Sequence, residues 1–153
     1  MNFRLAFALT SLVCTQGASA TPPANWEFKE WNAAVAQASA ENKPLFIMFG
    51  YEDCKWCEHL YRRAMSDADV RIKYQKSVAL AYFDTKGHEP SEVFTLPGGA
   101  KATHEELIKR FAAYPTPSWV FLSSSGQLLH AGRNGKTTTR EMVKDVETAL
   151  SKL

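Results

Sequence analysis

Three short runs dominated by apolar residues set the frame: Leu45-Phe46-Ile47-Met48-Phe49, Val78-Ala79-Leu80-Ala81-Tyr82-Phe83 and Ser118-Trp119-Val120-Phe121-Leu122. Each has strand length and lacks the polar alternation of a half-exposed strand, so each suits a sheet covered on both faces. Helical segments fall between and around them. Asn25 is placed to cap a helix reaching about Glu41, with Trp26, Trp31, Val35 and Ala38 near one face. Asn42-Lys43-Pro44 stops it, because Pro44 cannot continue a helix and disfavours helix at Lys43. A second helix is expected over Cys54 to Met65, and a further short helical piece over Ser66 to Gln75. Thr103-x-x-Glu106 and Thr138-x-x-Glu141 are capping boxes, opening a helix to Phe111 and a final amphipathic helix with Met142, Val143, Val146 and Leu150 inward. Thr85 to Ala102, rich in Gly and Pro, reads as a long loop or irregular insertion. Gln127 to Ala131 completes a hairpin with the third strand across a turn at Ser123 to Gly126. With no repeat or linker in sight, this alternation implies one α/β layered domain.

The first twenty residues carry different information. Arg4 gives a positive start, Leu5 to Val13 a short apolar run, and Ala18-Ser19-Ala20 an A-x-A cleavage site, the pattern of a secretory signal peptide. The run is far shorter than the roughly 20 residues that cross a bilayer. Val13 before Cys14 argues against a lipid-modified cysteine, where a small residue is expected. The expected mature domain is therefore residues 21–153, in an exported, oxidising compartment such as a bacterial periplasm. A formal charge of +2 without a Lys/Arg cluster leaves no electrostatic footprint for nucleic acid.

Of the three cysteines, Cys14 leaves with the signal peptide and Cys54 and Cys57 remain. A pair three positions apart closes a tiny loop and constrains little of the unfolded chain, so it is a poor staple. Its place is more telling, because Cys54-Lys55-Trp56-Cys57 follows a buried strand and opens a helix. Free N–H groups and the positive end of the helix dipole favour a thiolate on Cys54, and Lys55 adds a cation. Cys54 is expected at an exposed tip as the attacking thiolate, with Cys57 inside the helix as the resolving thiol. A c-type haem site would need His at position 58, which is Glu58. Structural zinc lacks a full ligand set, since His59, His88, His104 and His130 stand in no finger spacing. Neither a cofactor nor a resident metal is expected. Cu(I) on the two thiolates stays chemically open, as does a noncatalytic binding module.

Phe46 to Cys57 resembles the active-site strand and loop of thioredoxin-fold proteins, and Thr116-Pro117-Ser118-Trp119-Val120-Phe121-Leu122 resembles their second hallmark, a cis-proline opening the next strand. The resemblance spans nearly the whole chain after residue 20 and is nearest to exported thioredoxin-like proteins of the SoxW type. It implies a three-layer α/β sandwich with a central mixed sheet flanked by helices, and thiol–disulfide oxidoreductase activity. It also implies that Pro117 is the cis-proline and that Thr116 offers backbone groups to a substrate strand. Pro115 competes for the first role, since Tyr114-Pro115-Thr116 resembles the Ile-Pro-Thr of ordinary thioredoxins, but the distance to Leu122 and Gly126 favours Pro117. Trp56 is expected on the rim, where its amphipathic ring would meet substrate. The implied partners are protein disulfides and a membrane thiol reductant of the Dsb or CcdA type, acting on a monomer. Two departures bear on redox poise. Met48 stands where ordinary thioredoxins carry a buried acid, and Lys55-Trp56 replaces Gly-Pro between the cysteines.

Overall fold

Strand β1, Leu45–Gly50, is buried at all six of its positions and forms the spine of the molecule. In the computed structural model, which describes residues 21–132, 135 and 138–153, it lies between two other strands. The expected signal peptide, with Cys14, lies outside the described residues. β2, Ala79–Asp84, runs parallel to β1 on one side, and β5, Ser118–Leu122, runs antiparallel on the other. β6, Leu128–Gly132, pairs antiparallel with β5, giving a mixed sheet of order β2-β1-β5-β6.

Side chains alternate across a strand, and here both faces are covered. Phe46 and Met48 point with Leu80, Trp119 and Phe121 into one core. That core is roofed by α2 (Lys55–Arg63), α3 (Ala68–Ser77) and α5 (Thr139–Leu150). Leu45, Ile47 and Phe49 point with Ala81, Phe83 and Val120 into the other. Its cover is α1 (Trp31–Ala40), α4 (His104–Phe111) and part of the segment between β2 and α4. The result is the expected three-layer sandwich with a mixed central sheet flanked by helices. Among the described residues no helix is long and apolar enough to cross a membrane.

Two expectations are corrected. The first helix starts at Trp31, not near Asn25, and Glu30 takes its N-cap position. Trp26 instead ends a 3-10 turn, Ala24–Trp26, and an extended stretch follows in which the Lys29 N–H donates to Leu80 O on the β2 edge. The two tryptophans therefore enter opposite cores: Trp26 Nε1 donates to Met65 O at 2.7 Å and Trp31 Nε1 to Thr95 O at 2.7 Å. Burying both indoles with satisfied N–H groups outweighs the local helical spacing. The segment expected as a loop over 85–102 instead holds most of a small hairpin, β3 (Val93–Thr95) with β4 (Lys101–Thr103), which carries Phe94, Leu96 and Ala102 into the core. Both capping boxes form as written in the sequence.

Candidate active site

The site grows from the C-terminal end of β1. The chain leaves the sheet at Gly50, turns through Tyr51-Glu52-Asp53, and starts α2 with Cys54 as its N-cap residue. An N-cap side chain meets helix N–H groups that lack an intrahelical acceptor. Here the Cys57 amide donates to Cys54 Sγ at 3.1 Å. Cys54 and Cys57 form a disulfide, with their Cα atoms 5.2 Å apart. Once reduced, the same amide and the helix dipole favour negative charge on Cys54 Sγ.

β5 brings the second part. Its pairing with β1 at Phe49 and Ser118 sets the residues just before Ser118 beside the cysteines. Thr116 Oγ1 lies 3.2 Å from Cys54 Sγ, and Thr116 is buried. Ser118 Oγ donates to Ala113 O at 2.6 Å and so closes the loop between them. The Thr116–Pro117 bond is cis, as is Tyr114–Pro115, so the two candidate prolines do not differ in isomer. They differ in burial, Pro117 being buried and Pro115 exposed.

The structure thus brings Cys54, Cys57 and Thr116 together, with Pro117 following Thr116 in the chain. Lys55 and Trp56 stand outward on the first turn of α2, with Trp56 64% exposed and its ring edge-on to His59. Cys54 does not stand at an exposed tip, because it is only 2% exposed in the disulfide form. Its sulfur is turned inward, towards Thr116 and the Cys57 amide. Glu52 and Asp53 are exposed loop residues, while Met48 is wholly buried.

Sequence reasoning passed over three residues beside Cys57. A Cβ built on Gly50 would lie 2.9 Å from the Tyr82 hydroxyl and 3.3 Å from Cys57 Sγ, so both atoms border the space that this glycine leaves open. Tyr61, one helical turn beyond Cys57, is buried, and its hydroxyl finds no hydrogen-bond partner among the described residues. Burial first, then the neighbouring Tyr82 and Asp84, push Tyr61 ionisation well above the ordinary tyrosine range. Burial, helped by the Asp84 charge, pushes Tyr82 up to about 12. The spacing of Tyr61 from Cys57 was visible in the sequence as a same-face pair. The position of Tyr82 was not, because it depends on the β1–β2 register that pairs Met48 with Tyr82.

A cavity of about 470 Å³ opens elsewhere, between the N-terminal segment and the β3 region, lined by Phe28, Trp31, Tyr82, Phe83, His88 and Phe94 among others. Neither cysteine nor Thr116 lines it, so the exchange chemistry belongs to the disulfide. Among the described residues, no group of three or more His, Cys, Asp or Glu is placed to hold a metal ion.

A thioredoxin fold presenting a Cys-x-x-Cys disulfide at a helix N-terminus defines the class, that of the thioredoxin-fold thiol–disulfide oxidoreductases. The sequence profile of the thioredoxin-like domain matches residues 31–147, and the chain belongs to that family. No curated protein matches the chain closely enough to count as a relative. Among solved structures it is similar to a thioredoxin from Thermus thermophilus, with TM-score 0.64, 19% identity, and 82% of this chain and 87% of that one covered. A putative disulphide-isomerase from Bacteroides thetaiotaomicron aligns with TM-score 0.62 and 19% identity, covering 82% and 93% of the two chains. DsbH oxidoreductase aligns with TM-score 0.60 and 17% identity over 96% and 95%. At these identities the likeness is one of fold.

Proposed function

We propose that the protein works in the periplasm, after loss of residues 1–20, as a monomeric reductase of protein disulfides. The observation that carries the reading is the position of Cys54 Sγ, held by the Cys57 amide at the start of α2 and by Thr116 Oγ1 at 3.2 Å. In the reduced protein, Cys54 thiolate attacks a substrate disulfide and forms a mixed disulfide. Cys57 then attacks Cys54 Sγ and releases the reduced substrate. Two electrons pass from the enzyme dithiol to the substrate, and the enzyme is left in the oxidised form seen here. Thr116, which borders the sulfur, and Pro117 next to it in the chain are assigned to the substrate strand, with exposed Trp56 as an apolar rim contact and Lys55 as a neighbouring cation. A membrane thiol reductant of the Dsb or CcdA type would return the pair to the dithiol. Consistent with a disulfide relay, the similar structures include DsbH oxidoreductase and the C-terminal domain of Neisseria meningitidis DsbD.

Replacing Cys57 by Ser removes the resolving thiol, so Cys57→Ser incubated with periplasmic extract should accumulate adducts that dithiothreitol releases. A Cys54→Ser, Cys57→Ser double variant should accumulate none. Absence of adducts in the single variant overturns the exchange reading. Direction is read from the reduction potential of the pair. A reductase is expected near that of thioredoxin, about −270 mV, whereas a value near about −120 mV would assign an oxidant.

A further inference from the structure

The exchange cycle asks something of Cys57 that the residues so far assigned do not provide. Its thiol must lose a proton in a site where the residue is wholly buried, and burial disfavours the thiolate. The titratable groups of this part of the molecule can be named. α2 carries half-buried Glu58 and His59, buried Tyr61 and the exposed cations Lys55, Arg62 and Arg63, with Cys54 at its N-cap. α3 adds Tyr74, whose hydroxyl donates to Met142 O at 2.9 Å. β2 adds Tyr82 and, two residues further, Asp84. Tyr51 packs against the same core from the preceding loop, with the Lys86 ammonium over its ring. β1 and β5 contribute Phe46, Met48, Trp119 and Phe121, none of which titrates. Asp145 of α5 is bound to Trp119 and His130. Asp84 is engaged through Oδ1 with the amides of Lys86 and Gly87. Of these groups, the Tyr82 hydroxyl is the one set against the same Gly50 position as Cys57 Sγ, and Tyr61 lies one helical turn beyond Cys57 on the same helix.

We propose that Tyr82 donates a hydrogen bond to the Cys57 sulfur as it becomes a thiolate in the resolving step, with Tyr61 as a positioning residue behind it. The proposal rests on the exchange reading above and on three features of the structure. First, the Tyr82 hydroxyl and Cys57 Sγ both border the space left open by Gly50. Second, the space is fixed from the far side, because Gly50 O accepts from the Thr85 amide at 2.8 Å and from Thr85 Oγ1 at 3.1 Å. Third, Tyr61 carries a buried hydroxyl that makes no hydrogen bond of ordinary geometry yet lies next to that of Tyr82, one helical turn from Cys57. An unpartnered buried hydroxyl costs stability, and a group retained in that state invites a functional account. Burial keeps both phenols protonated through neutral pH, so they act as donors and never as competing anions.

The step balances without an outside reagent. In the mixed disulfide, Cys57 gives up its proton and its thiolate attacks Cys54 Sγ. The Cys54–Cys57 bond forms, the Cys54–substrate bond breaks, and the departing substrate thiolate takes up the proton released. Tyr82 keeps its own proton throughout and lowers the cost of negative charge on the attacking sulfur.

The test follows Cys57 directly, by carbon NMR of cysteine labelled at Cβ in the reduced protein. A charge-assisted hydrogen bond corresponds to about one pH unit or more in thiol acidity. Tyr82→Phe should therefore raise the Cys57 midpoint by about one unit, move the pH profile of the resolving step by the same amount, and slow that step about threefold to fourfold at neutral pH, the roughly tenfold loss of thiolate being partly offset by its greater nucleophilicity. Tyr61→Phe should move both in the same direction by less. An unchanged Cys57 midpoint in folded Tyr82→Phe overturns the proposal. If Phe at 82 prevents folding, Tyr61→Phe alone decides, and no shift there overturns it. The titration uses no substrate, so its failure is separable from a failure to trap adducts in Cys57→Ser.

Discussion

The core between the sheet and α2, α3 and α5 holds two polar clusters that are built differently. In one, Asp145 is buried on α5 and ties two elements together: Trp119 Nε1 donates to its Oδ2 at 3.0 Å, and His130 Nε2 lies 2.8 Å from its Oδ1. In the other, beside Cys57, the Tyr61 hydroxyl has no hydrogen-bond partner among the described residues. Each cluster is fitted around a glycine. A Cβ on Gly132 would lie 2.0 Å from Trp119 Nε1, and one on Gly50 2.9 Å from the Tyr82 hydroxyl. A paired network fixes one arrangement and suits a structural joint, while a site whose sulfur changes its bonding partner during turnover needs donors not already committed.

That contrast is broken most severely at Asp145. Asp145→Ala leaves the Trp119 indole N–H, in a residue 1% exposed, without its carboxylate acceptor. Loss of one partner of a buried, charge-assisted hydrogen bond costs about 3 kcal/mol. Urea unfolding of the oxidised protein should show a loss of that order, while the Cys57 titration in the reduced protein stays where it is. A moved Cys57 midpoint would mean that the two clusters are one network.

The next effect in size is at Gly50, and it should differ in kind. Gly50→Ala pushes a methyl between the Tyr82 hydroxyl and Cys57 Sγ, an overpacking cost of about 1–3 kcal/mol. It should also slow the resolving step, so that the mixed disulfide persists in single-turnover assays. A variant destabilised to this extent but resolving at the normal rate would make Gly50 a packing residue alone.

The sequence shows unevenly which parts belong to which cluster. The three apolar strands, both capping boxes and the Cys54–Cys57 pair were legible because their signals are local: run length, a three-residue spacing, a strand–helix junction. Asp145 was not, since it interrupts the apolar face expected from Met142, Val143, Val146 and Leu150, and only the packing of Trp119 and His130 against α5 explains it. In the sequence Tyr82 is only one residue of a buried strand. Its place beside Cys57 depends on the β1–β2 register, which the sequence of either strand leaves free. Trp26 and Trp31 shared a helical face on paper yet fill opposite sides of the sheet, because their indole N–H groups found acceptors at Met65 and Thr95. The exposed tip expected for Cys54 failed for a similar reason, since Thr116 comes from the loop before β5, distant in sequence.

The smallest expected effect sharpens the comparison from the other side, because here a deletion should do no harm. Tyr61→Phe removes a buried hydroxyl that has no partner, so it should leave stability unchanged or raise it by about 1 kcal/mol. Alkaline unfolding provides an independent check. Burial raises the ionisation of Tyr61, Tyr74 and Tyr82 in the folded chain, Tyr82 to about 12, whereas an unfolded tyrosine ionises near about 10. Below that pH both states hold their protons and the stability contribution is complete. Above it the unfolded chain releases protons first, so stability falls as pH rises through the folded values. Urea midpoints of the oxidised protein should therefore decline above about pH 10, and less steeply in Tyr61→Phe than in the wild type. An identical decline in both would place the Tyr61 hydroxyl in water rather than in the core. The open cluster beside Cys57 would then lose its innermost member, and with it the contrast to Asp145.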